Sequence, residues 1–126
     1  WHLIGLEVGL SVASVALRGE PTGTPVCWNA DVVATAKRDL KAGETLDGEG
    51  GYTVWGKLLP ADTSVRLGGL PLGLAHGVKL VRPVAKGQSL TWADVAMDSN
   101  LPAYRLRREM EALYAPAGAQ DARKAA

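Results

Sequence analysis

Cysteine and histidine are scarce in this chain. Cys27 is the only cysteine among 126 residues, so the chain has no partner for a disulfide of its own and no thiolate cluster for zinc or iron-sulfur chemistry. The two histidines, His2 and His76, lie far apart and have no neighbouring ligand pattern. We therefore expect no metal site, and the single thiol favours a reducing, cytoplasmic compartment.

A dominant charge of either sign is also lacking. Fourteen Lys and Arg residues oppose thirteen Asp and Glu residues. Nucleic-acid-binding domains are usually far more basic, so we expect no nucleic-acid partner. The apolar stretch 3–17 is interrupted by Glu7, falls short of the roughly 20 residues that a membrane span requires, and follows no basic segment. The sequence thus predicts neither a membrane partner nor a targeting segment.

The first predicted helix spans Ile4 to Leu17. Its apolar residues recur at helical spacing on two sides, which predicts a helix buried all round. Arg18 and Gly19 then supply a cation in the last turn and a glycine cap. Because the chain begins at Trp1, we expect it to be cut from a longer protein and this helix to have packed against a neighbouring domain. The alternative, a core helix of the chain itself, has equal standing.

A linker and a β-rich region follow. Pro21, Gly23 and Pro25 predict a linker over 20–29, so we interpret residues 1–30 as a helix and linker left from an upstream catalytic domain. From 31 to 98, short β-type runs cut by glycine predict a mainly β domain. The runs are Val32–Thr35, Tyr52–Trp55 and Val78–Val81.

An internal repeat lies within the β-rich region. The segment 38–46, Arg-Asp-Leu-Lys-Ala-Gly-Glu-Thr-Leu, aligns without gaps to 82–90, Arg-Pro-Val-Ala-Lys-Gly-Gln-Ser-Leu, and Gly43 matches Gly87. In both copies a basic residue ends a strand, a glycine supplies a turn, and Thr or Ser restarts the chain. The order of residue types over nine positions favours a repeat over two unrelated turns.

Residues 99–126 are predicted to form a C-terminal helix and a frayed tail, with the tail over 115–126. In the helix, Leu106, Met110, Leu113 and Tyr114 make one apolar stripe. The charged residues are expected to face water, because glutamates interleave with arginines and cancel the field that a phosphate site would need. They are Arg105, Arg108, Glu109 and Glu111.

The repeat carries a resemblance. The paired Arg-x-aliphatic-x-x-Gly-x-Ser/Thr-aliphatic units, with 77–81 before the second and 91–95 after it, resemble the SAF domain family, which includes antifreeze-like domains of sialic acid synthases and flagellar and pilus assembly chaperones. The resemblance implies a β-clip fold over 31–98, flanked by an N-terminal and a C-terminal α-helix.

A second resemblance covers nearly the whole chain. The runs 3–7, 11–14, 17–21, 31–39, 48–52 and 72–80 look like the C-terminal third of homoserine-dehydrogenase-like oxidoreductases, including deoxyxylulose phosphate reductoisomerase-like members. Those proteins place a dinucleotide-binding domain and a catalytic domain upstream of a SAF domain. The resemblance implies NAD(P) in the parent enzyme, upstream domains as partners, and catalytic residues before Trp1.

This chain itself is expected to bind no cofactor. No Gly-x-Gly-x-x-Gly motif opens a helix after a strand, and Gly48, Gly50 and Gly51 lie among carboxylates that would repel a pyrophosphate. We therefore predict that the chain alone is inactive and has no catalytic residue.

Three residues are candidates for ligand or domain contact. Trp55 and Lys57 lie in 52–60, predicted to be a loop where an aromatic ring and a cation could meet an anion or a neighbouring domain; the alternative is core packing for Trp55 and solvation for Lys57. His76 is the third candidate, because histidine is a common acid, base or ligand and this one precedes a glycine, although such a histidine often only hydrogen-bonds a turn. No arginine in 52–60 matches that of the sialic acid synthase loop, which weakens sugar-acid binding.

Two functions remain open. The chain is an accessory domain of an NAD(P)-dependent oxidoreductase, serving domain packing or homo-oligomerisation, or it is a free-standing ligand-binding or assembly module. The apolar N-terminal helix favours the first function, because a free module has no use for a helix that is apolar on two faces.

Overall fold

The chain folds into a small β-rich domain with a helix at either end, as the sequence predicts. The computed structural model describes residues 3–114, and the tail predicted over 115–126 lies outside that range. Helix α1 spans Ile4–Ala13 and continues as one π-helical turn over Ser14–Arg18. Gly19 ends it with a left-handed φ of 65°, which confirms the predicted cap. Residues 20–29 form no helix or strand.

Five short strands build the domain. They are β1 (Ala30–Ala36), β2 (Thr45–Asp47), β3 (Val54–Pro60), β4 (His76–Leu80) and β5 (Val95–Ala96). Strands β1 and β3 pair antiparallel, while β4 lies between β2 and β5 in a second antiparallel sheet. Helix α2 (Ala61–Leu67) follows β3, and helix α3 (Pro102–Tyr114) follows β5.

The core takes its apolar side chains from both sheets and from the segments that connect their strands. Its members are Ala34, Ala36, Leu40, Leu46, Val54, Leu70, Ala75, Val78, Leu80, Val84, Leu90 and Val95. None of the buried hydrophobic residues in the described range belongs to α1 or α3. The five strands and α2, which we call the β-domain (residues 30–96), therefore enclose their core without either flanking helix.

The predicted repeat is confirmed as a pseudo-twofold arrangement. Leu40 and Val84, which the repeat aligns, exchange backbone hydrogen bonds of 2.9 and 3.0 Å across the approximate axis. Gly43 and Gly87 have φ of 81° and 80°, a left-handed conformation that favours glycine.

Bonds beyond the two turns repeat as well. The amide of Gly43 donates to the carbonyl of Leu80 at 2.7 Å, and the amide of Gly87 donates to the equivalent carbonyl of Ala36 at 2.8 Å. Each copy of the repeat therefore completes the strand of the other copy. The two halves interlock, so neither copy forms its ladder alone.

A threonine and an aspartate close the loop after each repeat, with their positions exchanged. After the first copy, the amide of Asp47 donates to the hydroxyl of Thr53 at 3.1 Å. After the second copy, the amide of Thr91 donates to the carboxylate of Asp94 at 2.6 Å. In both loops the hydroxyl also donates to the carboxylate, so the same side-chain pair fixes the loop in either order.

Helix α3 does not pack mainly through the predicted apolar stripe, of which only Met110 is half-buried. Leu106 and Leu113, predicted to face inward, are each 66% exposed, whereas Glu111, predicted to face water, is only 2% exposed. The buried carboxylate is compensated by Arg107 at 3.0 Å and Arg108 at 2.7 Å. Hydropathy therefore predicted the wrong face, because ion pairs and aromatic rings attach this helix to the domain.

Candidate interaction surfaces

Trp55 and Lys57 lie on a strand and not on the predicted loop. Both belong to β3, where Trp55 pairs with Thr35 and Lys57 pairs with Val33 of β1. Residues two apart on a strand share a face, so the two side chains are neighbours on one side of the sheet. Trp55 is 45% exposed, so the core-packing interpretation of this residue is wrong.

The position of β3 at the edge of a sheet explains why a lysine occurs at position 57. Strand β3 pairs only with β1 and is therefore an edge of its two-stranded sheet. Lysine and proline are residues with which sheet edges avoid unwanted pairing, and β3 carries Lys57 and ends at Pro60. The exposed aromatic ring of Trp55 remains available for contact.

His76 begins β4 and hydrogen-bonds a turn. Its Nδ1 lies 3.0 Å from the carbonyl oxygen of Asp47, and because a carbonyl only accepts, Nδ1 must carry the proton. A Cβ added at Gly48 would lie 2.9 Å from the Cβ of His76, so the turn fits closely against this residue. Within the range 3–114, no hydrogen bond or ion pair joins His76 to Trp55 or Lys57.

The Asp47 carboxylate is engaged by its own loop. It accepts hydrogen bonds from the hydroxyl of Thr53 and from the amides of Tyr52, at 2.6 Å, and Thr53, at 3.0 Å. These bonds lower the pKa of Asp47 to about 2. The carboxylate therefore holds the loop and is not poised to exchange a proton near neutral pH.

A buried charged cluster that the sequence analysis missed joins distant parts of the chain. Arg107 of α3 donates to both carboxylate oxygens of Asp31, one of them at 3.0 Å, and the hydroxyl of Ser64 donates to the same carboxylate. The side chains of Arg107 and Asp31 are 12% and 7% exposed. Burial opposes ionisation of Asp31, but the bonds from Arg107 and Ser64 outweigh it and lower its pKa.

Aromatic rings complete the attachment of α3. The guanidinium of Arg107 lies 4.6 Å from the ring centroid of Trp28, and that of Arg108 lies 5.4 Å from the ring centroid of Trp92. The rings of Trp92 and Tyr104 meet edge to face at 5.4 Å. The spacing of Tyr104, Arg107, Arg108 and Glu111 at i, i+3, i+4 and i+7 is the one sequence signal for this face.

An uncovered apolar surface runs along the whole of α1. None of its residues is buried, so its role as a core helix of this chain is wrong. Every large apolar side chain from position 3 to 17 is more than half exposed: Leu3, Ile4, Leu6, Val8, Leu10, Val12, Val15 and Leu17. Side-chain hydrogen bonds tie the helical segment to the linker, from Thr22 to Ser11 at 2.9 Å and from Ser14 to the carbonyl of Glu20 at 3.0 Å.

Neither a metal cluster nor a membrane-spanning helix emerges from the part of the chain that the structure covers. No three His, Cys, Asp or Glu residues in it are grouped so as to hold a metal ion. No helix in it combines the length and the apolar character needed to cross a bilayer.

Comparison with known proteins agrees with the fold. No curated protein matches the chain significantly. A family model described as SAF domain matches residues 31–96, which is more than half of the chain and includes all five strands from Asp31 onward. The chain therefore belongs to the SAF domain family, a family of accessory and binding domains.

Proposed function

We propose that this chain is the accessory SAF domain of a larger NAD(P)-dependent oxidoreductase of the homoserine-dehydrogenase-like type. In this role it packs against the upstream domains or against a second copy of the protein, and it performs no chemistry by itself. The upstream dinucleotide-binding domain holds NAD(P). Membership of the SAF family supports the accessory role, and the motifs shared with the C-terminal third of those oxidoreductases support the parent.

The exposure of α1 is the observation that carries this proposal. Its side chains are among the most apolar of the chain, yet Ile4 and Leu6 are each 76% exposed. Burying one such side chain stabilises a protein by about 1.5 to 3 kcal/mol. A helix with several of them, and with no cover from its own domain, gains most of its stability from a surface outside that domain.

The same observation weighs against a free-standing module. Such a module would keep α1 in water, although its β-core is already closed without that helix. An exposed apolar patch of this kind is typical of a surface that another protein segment covers.

The proposal can be tested by light scattering on the full chain. Val8 and Val12, which are 55% and 62% exposed, lie one helical turn apart on α1. With its cover missing, α1 should drive association, so the wild-type mass should exceed that of a monomer and rise with concentration. The double variant Val8→Glu and Val12→Glu should be monomeric.

A matched control separates the surface of α1 from exposed valines in general. Val81→Glu changes a valine of the β-domain that is 54% exposed, and it should leave the mass of the wild-type assembly unchanged. A wild-type chain that is a monodisperse monomer at all concentrations would contradict the proposed role of α1.

A further inference from the structure

Arg107 ties three separate segments of the chain together. Its guanidinium forms a two-point ion pair with Asp31 at the start of β1, stacks on Trp28 in the linker, and bonds to Glu111 one turn further along α3. A planar guanidinium suits this arrangement, because it can bind a carboxylate with its edge while its face lies on an aromatic ring. The linker and α3 therefore meet at one side chain.

The linker lies against α3 around this point. A cavity of about 420 Å³ between them is lined by Pro25, Cys27 and Trp28 from the linker and by Met110 and Tyr114 from α3. Trp28 is half-buried and also packs against Val65 of α2. Trp28 thus lies between α2 and α3 and contacts both.

The contacts that hold α3 differ in kind from those that hold the β-domain. Helix α3 contributes no side chain to the hydrophobic core, and its leucines 106 and 113 face water. It is held by ion pairs to Asp31 and by the stacking of Arg107 and Arg108 on Trp28 and Trp92. Detaching α3 would expose the charged cluster and leave the apolar core closed.

From these contacts we propose that α3 is a strap. It holds the linker at Trp28 against the β-domain and so fixes the direction in which the linker and α1 leave that domain. When α3 detaches, the linker is released while the β-domain stays folded. This inference concerns contacts within the chain and does not depend on the identity of the parent enzyme.

The test uses the single cysteine, which precedes Trp28 and is exposed, as the site for a nitroxide label. The mobility of the label reports on the linker, and amide hydrogen exchange measured on the same full-length chain reports on α3 and the strands. In Arg107→Met, the label should become mobile and exchange in α3 should rise by about tenfold or more, whereas exchange in β1 and β4 should not change. Arg107→Lys keeps the charge but loses the two-point geometry. Its label mobility and its exchange in α3 should therefore lie between those of the wild type and those of Arg107→Met.

Two further variants make the result specific. Arg105→Met removes the same charge from an exposed position of the same helix and should change neither readout. Trp28→Leu removes only the ring, so it should free the label with little change in the exchange of α3.

Two results would overturn the strap. If Arg107→Met accelerated exchange in β1 and β4 as much as in α3, the helix would be an integral part of one cooperative unit. If the label stayed immobile in both Arg107→Met and Trp28→Leu, α3 would not govern the linker.

Discussion

Helices α1 and α3 flank the same β-domain, and their burial is the reverse of what their hydropathy predicts. Helix α1 carries leucine, isoleucine and valine on two sides, and none of its residues is buried. Helix α3 is rich in arginine and glutamate, yet it buries Glu111 and most of Arg107 against the domain. The apolar helix is thus uncovered and the charged helix is packed.

Hydropathy alone therefore does not determine which surface covers the side chains of a helix. A charged face can pack internally when each charge meets a partner, as Arg107 meets Asp31 and Glu111. An apolar face can remain uncovered in one chain when the surface that covers it lies outside the domain.

The same leucine truncation should have opposite outcomes in the β-domain and in α1. Leu90 is fully buried, so Leu90→Ala should lower the free energy of unfolding by about 2 to 5 kcal/mol through lost contacts and a residual cavity. Leu10 is 69% exposed, so Leu10→Ala should not change the unfolding of the β-domain. Urea denaturation of the two variants measures both effects. A comparable loss in Leu10→Ala would show that α1 is part of the domain after all.

The two repeat glycines should be equally sensitive to substitution. Gly43→Val and Gly87→Val each place a β-branched residue at a φ near 80°, which should cost about 1 to 3 kcal/mol. Gly23→Val in the linker, where φ is not left-handed and a Cβ meets no other atom, should leave the urea midpoint unchanged. If only one of the repeat glycines were sensitive, the interlocked turns would not be energetically equivalent.

Acid should weaken the β-domain through its ion-paired aspartates. Burial disfavours the charged form of Asp94, but hydrogen bonds from Arg82 and Thr91 outweigh it and lower its pKa. A lowered folded-state pKa stabilises the fold above the unfolded pKa of about 4, and that stability disappears as the pH falls through the folded value. The urea concentration at the unfolding midpoint should therefore decrease once the pH falls below about 4.

Asp94→Asn isolates that contribution. It should cost about 1 kcal/mol at pH 7 and make the acid-induced fall shallower, because one of the ion-paired carboxylates is gone. Glu49→Gln, at an exposed position of the Asp47 loop, should follow the wild-type pH profile. A pH profile of Asp94→Asn that matched the wild-type profile would show that Asp94 does not contribute to the acid sensitivity.

The smallest effect is expected on the outward face of α3. Leu106→Gln replaces a side chain that is 66% exposed and should change the free energy of unfolding by less than about 0.5 kcal/mol. Chemical denaturation measures it. A loss of several times that size would restore the leucine stripe as the packing face.

The β-domain and its repeat were predictable because their signals are local. Gly43 and Gly87 mark turns that other residues resist, and the flanking aliphatic residues fall into the core in both copies, as Leu46 and Leu90 do. Glycine and strand-forming residues therefore predicted a mainly β domain with an internal repeat, and the resemblance to the SAF family, which the family match supports, implied the β-clip fold.

The packing of α3 was not predictable because its partners are distant in the sequence. Arg107 and Asp31 lie 76 residues apart, and no local pattern announces that they pair. For the candidate site, 52–60 was predicted to be a loop, whereas pairing with β1 makes Val54–Pro60 a strand. For His76 the sequence left two interpretations open, a ligand contact and a hydrogen bond to a turn. The structure shows the hydrogen bond to a turn.

Helix α1 is proposed to be covered by a surface outside its domain, whereas α3 is covered by the domain itself. Amide hydrogen exchange of both helices, followed in one sample at a low and a high chain concentration, distinguishes the two situations. A ten-residue helix is marginal alone in water, so protection of α1 should rise with concentration while protection of α3 stays the same. Protection of α1 that matched that of α3 at both concentrations would contradict the account.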